Sequence, residues 1–177
     1  MRSLSRIATL VGFLAAAHAT TLQQLSTDDM IRQSTAIVRV KVAAASTGVR
    51  GRDIYTYYQF QVLETLKSLG SGPVQVAVPG GVAGGLREMV PGAPTLTAGQ
   101  EYVIFLWTSK SGLTQVIGLS QGLFTVMQDA AGNPVLVRPA APALMLDRTG
   151  NVVDDKAVTM KLSDLRAEVQ KVLSSVK

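Results

Sequence analysis

The chain has no cysteine and a single histidine, His18, in 177 residues. Aromatic residues are scarce at 5% and charged residues make up only 16%. Each shortage removes a class of chemistry. Without thiols there is no disulfide, no thiol redox couple and no thiolate nucleophile or zinc ligand. With one imidazole near the N-terminus, Ser-His-Asp and Cys-His catalysis lack their base elsewhere in the chain. The charges are dispersed, without a run of five or six Lys/Arg. A nucleic-acid face needs a basic stripe with readout elements, so no nucleic-acid partner is expected. There is also no Pro/Ser-rich linker, repeat or low-complexity block, which points to one domain.

The N-terminus reads as a secretory signal. Arg2 and Arg6 precede an apolar run from Ile7 to Ala17, and Ala17-His18-Ala19 presents small residues where a signal peptidase requires them. The apolar run is shorter than the roughly 20 residues a permanent span needs. No Cys follows it for lipid attachment. Residues 1–19 are therefore expected to be removed and 20–177 to form a single β-rich domain. That domain has 15 Lys/Arg against 12 Asp/Glu, a formal charge of +3, and no histidine. The expected location is periplasmic or extracellular, without stable membrane insertion after cleavage.

Period-two patterning dominates the rest. Ser26-Thr27-Asp28-Asp29 reads as a capping-box start of a short helix ending near Ser34. Ile37 to Val42 then alternates as a half-buried strand, and Thr47 to Asp53 reads as a hairpin loop. A second strand, Ile54 to about Leu66, places Ile54, Tyr58, Phe60 and Val62 on its core face, with Tyr55, Tyr57, Gln59 and Gln61 opposite. Lys67 to Gly72 reads as a turn, and Val74, Val76 and Val78 mark a third strand. Glu101 to Trp107 is apolar on both faces, which predicts a covered central strand. Further short strands are expected at Leu113 to Ile117, Leu123 to Gln128 and Val135 to Val137. At the C-terminus Ser163 is the expected cap of an amphipathic helix carrying Leu165, Val169, Val172 and Val176 on one stripe. The expected fold is mostly β. It is a small antiparallel OB-like barrel or a sandwich, with a short N-terminal helix and an amphipathic C-terminal helix.

The stretches I-Y-T-Y-Y-Q-F-Q-V-L-E-T-L-K, V-P-G-G-V-A-G-G, V-P-G-A-P-T-L-T-A-G-Q-E-Y-V-I-F-L and V-I-G-L-S-Q-G-L-F-T-V resemble an uncharacterised family of bacterial exported proteins. That family shares a strand ending in a Lys-containing turn, a double-Gly loop and a Gly-x-x-Gln-Gly turn. The order of strands around A-I-V-R-V-K-V and Y-Q-F-Q-V-L-E-T-L-K is also similar to the netrin-like OB barrel of the tissue inhibitors of metalloproteinases. Those inhibitors place an N-terminal cysteine on the protease zinc. Here the expected mature terminus is Thr20-Thr21-Leu22, so the resemblance implies a fold and carries no inhibitory residue.

Candidate sites are few. The Gly/Pro-rich segment Pro79 to Pro94 contains Gly80, Gly81, Gly84 and Gly85. Leu86-Arg87-Glu88 follows them, not the G-K-[ST] of a phosphate-binding loop. The segment reads as a structural crossover or a binding loop. Tyr55, Tyr57 and Trp107 could form an aromatic platform for a sugar ring or a peptide, although Trp107 closes an apolar strand and core packing is its default. Asp147 to Asp155 holds three acids near a Gly-Asn turn without calcium-loop order. Glu64, Glu88 and Glu101 show no paired-carboxylate pattern. The expectation is a non-enzymatic exported binding module without cofactor or metal, engaging another exported protein such as a protease. A carbohydrate- or envelope-binding protein and a carboxylate-dependent enzyme are the alternatives. Its expected surface is Tyr55, Tyr57, Gly80, Gly81, Gly84, Gly85, Arg87 and Trp107.

Overall fold

The computed structural model describes residues 21–68, 75–141 and 143–175. The signal-peptide reading of residues 1–19, with His18, lies outside them, as do Val74 and Val176. A short strand, β1 (Thr21–Gln23), leads to Ser26, whose hydroxyl accepts the Asp29 backbone N–H at 3.1 Å. The Asp29 carboxylate in turn accepts the Ser26 N–H, completing a capping box on α1 (Thr27–Gln33). This helix buries Met30 and Ile31 and ends at Ser34.

β2 (Ala36–Arg50) and β3 (Asp53–Ser68) form a long hairpin. Its loop is only Gly51-Arg52, because the ladder continues to the Arg50–Asp53 pair. The expected loop from Thr47 is therefore strand. Register shifts at Ile37/Val38, Arg39/Val40 and Val42/Ala44 bend the hairpin, as bulges do. β3 also runs on through Lys67, where a turn was expected. The Lys67 side chain is 7% exposed overall, and its ammonium donates to the carbonyls of Ile31, Arg32 and Ser34 at 2.6, 3.1 and 2.6 Å. Burial lowers its pKa. The position of the charge is explained by the otherwise unpaired carbonyls at the C-terminal end of α1.

β4 (Gln75–Pro79) pairs with β3, and a small hairpin of β5 (Gly81–Ala83) and β6 (Leu86–Glu88) follows. β7 (Glu101–Thr108) is the central strand. It pairs with β2 on one side, and with β8 (Thr114–Val116) and β9 (Leu123–Gln128) on the other. β10 (Pro134–Arg138) extends the sheet. β11 (Leu144–Leu146) pairs with β1 and with β12 (Val152–Val153), and β13 (Val158–Lys161) closes the far edge. The main sheet runs β13-β10-β9-β7-β2-β3-β4. It curls until β4 lies against β8, with no ladder between them among the described residues. The result is a mostly β, open barrel-like architecture.

Two cores flank β7, as its two-sided apolarity predicts. Inside the curl, Ile104 and Leu106 meet Val38, Val40, Tyr58, Val78 and Val116. Behind the sheet, Val103 and Phe105 meet Phe124, Leu136 and both helices. The C-terminal helix α2 (Leu162–Ser174) buries Leu162, Leu165, Val169 and Val172 there. β13 feeds straight into it, so the N-cap is Lys161 and no side chain caps it. Ser163 sits inside the first turn, where its hydroxyl donates to Asp164 instead of capping. Val62, expected in the core, is 47% exposed. β4 pairs β3 only over Tyr55–Gln59, which leaves the later part of β3 beyond that partner.

Candidate functional site

Trp107 departs from its default reading, core packing. It is 45% exposed, not core. The cause is alternation: Leu106 points into the curl, and Trp107 follows it onto the outer face, paired with Gln115 of β8. It stands on a groove of about 260 Å³ along the unladdered seam, lined by Ala77, Pro79, Pro94, Gln115, Ile117 and Leu119 among others. Across the seam, Tyr57 pairs with Ala77 and Tyr55 with Pro79. Cross-strand partners share a face. The two tyrosine rings are 6.2 Å apart and both are half-buried. Of the three aromatics singled out in the sequence, Trp107 lines this groove, while Tyr55 and Tyr57 form a ring pair on β3 outside its lining.

Leu119 is the one non-glycine residue with positive φ among those described, at 64°. A left-handed conformation costs a β-carbon-bearing residue about 1–2 kcal/mol, and such residues tend to gather at binding sites. Its side chain also reaches the 89–95 segment, where a Cβ on Gly92 would lie 3.1 Å from Leu119 Cδ2.

The double-Gly segment is a hairpin, not an irregular loop. Gly84 and Gly85 have φ of 57° and 77°, the pair of left-handed residues that a tight hairpin turn requires. The hairpin is fastened at its base from both strands. Thr56 Oγ1 donates to Gly80 O at 2.8 Å, and Thr47 Oγ1 to Val82 O at 2.6 Å. The Ile54 N–H donates to the Glu88 carboxylate at 2.6 Å. A Cβ on Gly81 would fall 2.8 Å from Thr56 Oγ1. Gly80, Gly81 and Arg87 line a second groove of about 310 Å³, which shares Val78, Pro79 and Pro94 with the Trp107 groove. Gly84 and Gly85 project away from it, with nothing within 4 Å of a Cβ at either position. The anticipated surface therefore divides into the Trp107 groove, the Tyr55–Tyr57 pair and a glycine hairpin, with Pro79 lining both grooves and pairing with Tyr55.

Gly118-Leu-Ser-Gln-Gly122 is a structural fastening. Gln121 is 2% exposed; its amide accepts from Leu25 N–H and donates to Gln23 O, both at 2.9 Å. A Cβ on Gly122 would meet Ile117 Cγ2 at 2.7 Å. Two of the three acids of 147–155, Asp147 and Asp155, are likewise occupied separately. Hydrogen bonds from the Thr149 hydroxyl and the Asn151 backbone pull Asp147 down to about 2. Asp155 forms a bidentate pair with Arg138 at 2.6 and 3.0 Å. Burial pushes Asp155 upward, but Arg138 and the Ala141 N–H outweigh it and leave its pKa below the ordinary value. Glu64 of β3 pairs with Arg166 of α2, and Glu101 of β7 with Arg39 of β2. No group of three His, Cys, Asp or Glu among the described residues could hold a metal ion.

Residues that sequence reasoning missed are Pro94, Leu119 and Arg138. No periodicity marks them, since their roles arise from segments far apart in the chain. No family model and no curated protein sequence matches the chain.

Proposed function

We propose that this chain is an exported, non-enzymatic binding module that seats an apolar segment of another exported protein in the Trp107 trough. The carrying observation is Trp107 itself, half-exposed on a groove whose lining side chains are mostly apolar and whose surface also exposes backbone polar groups. Exposed Trp beside a preformed apolar groove is the anatomy of a binding hot spot. The lining favours a protein segment over a glycan. Gln115 is the one polar side chain in it besides the Trp107 indole, and a sugar needs several convergent hydrogen-bonding groups. A glycan reading keeps one support, the half-buried Tyr55–Tyr57 pair on the same face. Export rests on the Arg2-to-Ala19 pattern, and N-terminal sequencing of the exported protein should begin at Thr20.

Trp107 is the chain's only tryptophan, so its fluorescence reports on the trough directly. Tagged wild type and Trp107→Ala should be compared as bait in the native exported fraction. Wild type should retain a partner that Trp107→Ala loses, and adding that purified partner should shift the emission of the free module. Equal recovery by both baits would remove the trough from the function. An emission shift with oligosaccharides and none with protein would transfer the site to the glycan reading.

A further inference from the structure

We infer that the end of the barrel formed by the Gly51-Arg52 turn of the β2–β3 hairpin and by the β5–β6 hairpin docks reversibly on an anionic lipid surface. This goes beyond the trough and does not rest on it. Four large apolar side chains stand in water there: Val49, Val82, Leu86 and Met89 are 60, 53, 70 and 79% exposed. They come from two chain segments, the end of β2 and the β5–β6 hairpin with Met89, brought together by the bonds of Thr47 to Val82 and of Ile54 to Glu88. Val82 opposes Arg87 and Leu86 opposes Ala83 in the ladder, so apolar side chains stand on both faces of a projecting hairpin, and such a concentration of exposed apolar groups marks an interaction site.

A cationic collar surrounds them. Arg50, Arg52 and Arg87 are exposed. Arg50 also donates to Ser111 O at 3.1 Å, which draws the 109–113 turn and the exposed Lys110 to the same end. The acids nearby are Asp53 and Glu88, and the Glu88 carboxylate is engaged by Ile54 N–H. The remaining excess of positive charge complements an anionic surface.

Shape selects lipid over an acidic protein. The apolar groups sit on projecting hairpins, one of them tipped by Gly84-Gly85 with no side chain beyond it. Projecting apolar tips with basic flanks enter the headgroup boundary, and anionic lipids add attraction. An acidic protein would use the collar and have no need of Leu86 and Met89. No helix among the described residues is long and apolar enough to cross a membrane.

Vesicle flotation tests this with protein recovered from the exported fraction, wild type and variants sharing one N-terminus. Wild type should float with phosphatidylglycerol-containing vesicles and not with phosphatidylcholine alone. Leu86→Ser combined with Met89→Ser should weaken binding at least tenfold, the scale expected from two lost apolar insertions. Both positions are exposed, and a melting curve checks that the variant is folded. Should it not fold, Arg52→Glu with Arg87→Glu supplies a second route with the same expected loss. Three results would overturn the inference. One is no flotation on anionic vesicles. Another is flotation that the serine pair leaves unchanged, which would reduce it to general attraction of a basic chain. The third is wild-type binding to soluble polyglutamate without flotation, which would give the surface to an acidic protein.

Discussion

Two glycine-rich segments carry the most recognisable sequence patterns in this chain, and they do opposite things. In Gly118–Gly122 the glycines permit close approach. The Gly122 position touches Ile117 and Phe105, and Gln121 reaches through to hold residues 23–25. In Gly80–Gly85 only the first pair is confined, while Gly84 and Gly85 stand clear of everything. Identical residue types thus serve burial in one place and projection in the other. What separates them is the space a side chain would meet, which composition does not record.

The sharpest way to break this contrast is Gly122→Ala. Its Cβ would press on Ile117 and the Phe105 side chain, and such overpacking costs about 3 kcal/mol, read as a large drop in thermal midpoint. A neutral result would mean that this turn is not confined. Gln121→Ala comes next. It strands the Leu25 N–H and the Gln23 carbonyl, at a cost of about 2 kcal/mol. Denaturant melts should show that loss, and amide exchange should rise first at Leu25.

A graded effect follows from acid. Asp29, lowered first by the Ser26 hydroxyl, Asp147 and Asp155 all titrate below the ordinary aspartate range when folded. A depressed folded pKa gives stability that is complete above the unfolded value and vanishes as pH falls through the folded one. The melting temperature should therefore hold steady above about pH 5 and fall between about pH 4 and about 2. Asp155→Asn should flatten part of that decline, and an unchanged profile would disconnect these carboxylates from folding. The smallest effect belongs to the projecting hairpin. Gly84→Ala should cost about 1 kcal/mol for its left-handed backbone alone, and Leu86→Ser less than about 0.5 kcal/mol. A loss at Leu86 comparable to that at Gly122 would show the tip to be core after all.

Legibility in the sequence followed the range of the interaction. The Ser26 capping box needs only four consecutive residues, and it is present as read. The stretch 101–107 is apolar on both faces and became the strand between two cores. Sequence pattern alone makes Lys67 a turn residue because its purpose lies on α1, more than thirty residues earlier. Core packing is the default for Trp107 because its strand is otherwise buried. The short β8 and the unladdered seam leave that final position half-covered. The aromatic trio itself was legible as a list of residues. That Trp107 lines a groove which leaves out the two tyrosines was not, because it depends on how far the sheet curls.

Local patterns alone determined that this chain makes a short capped helix, alternating strands and an amphipathic C-terminal stripe, since periodicity and capping act over a few residues. Tertiary structure decided that Lys67 is buried, that Trp107 is half in water and that two glycine motifs part ways. Each of those outcomes depends on what another stretch of backbone places a few ångströms away.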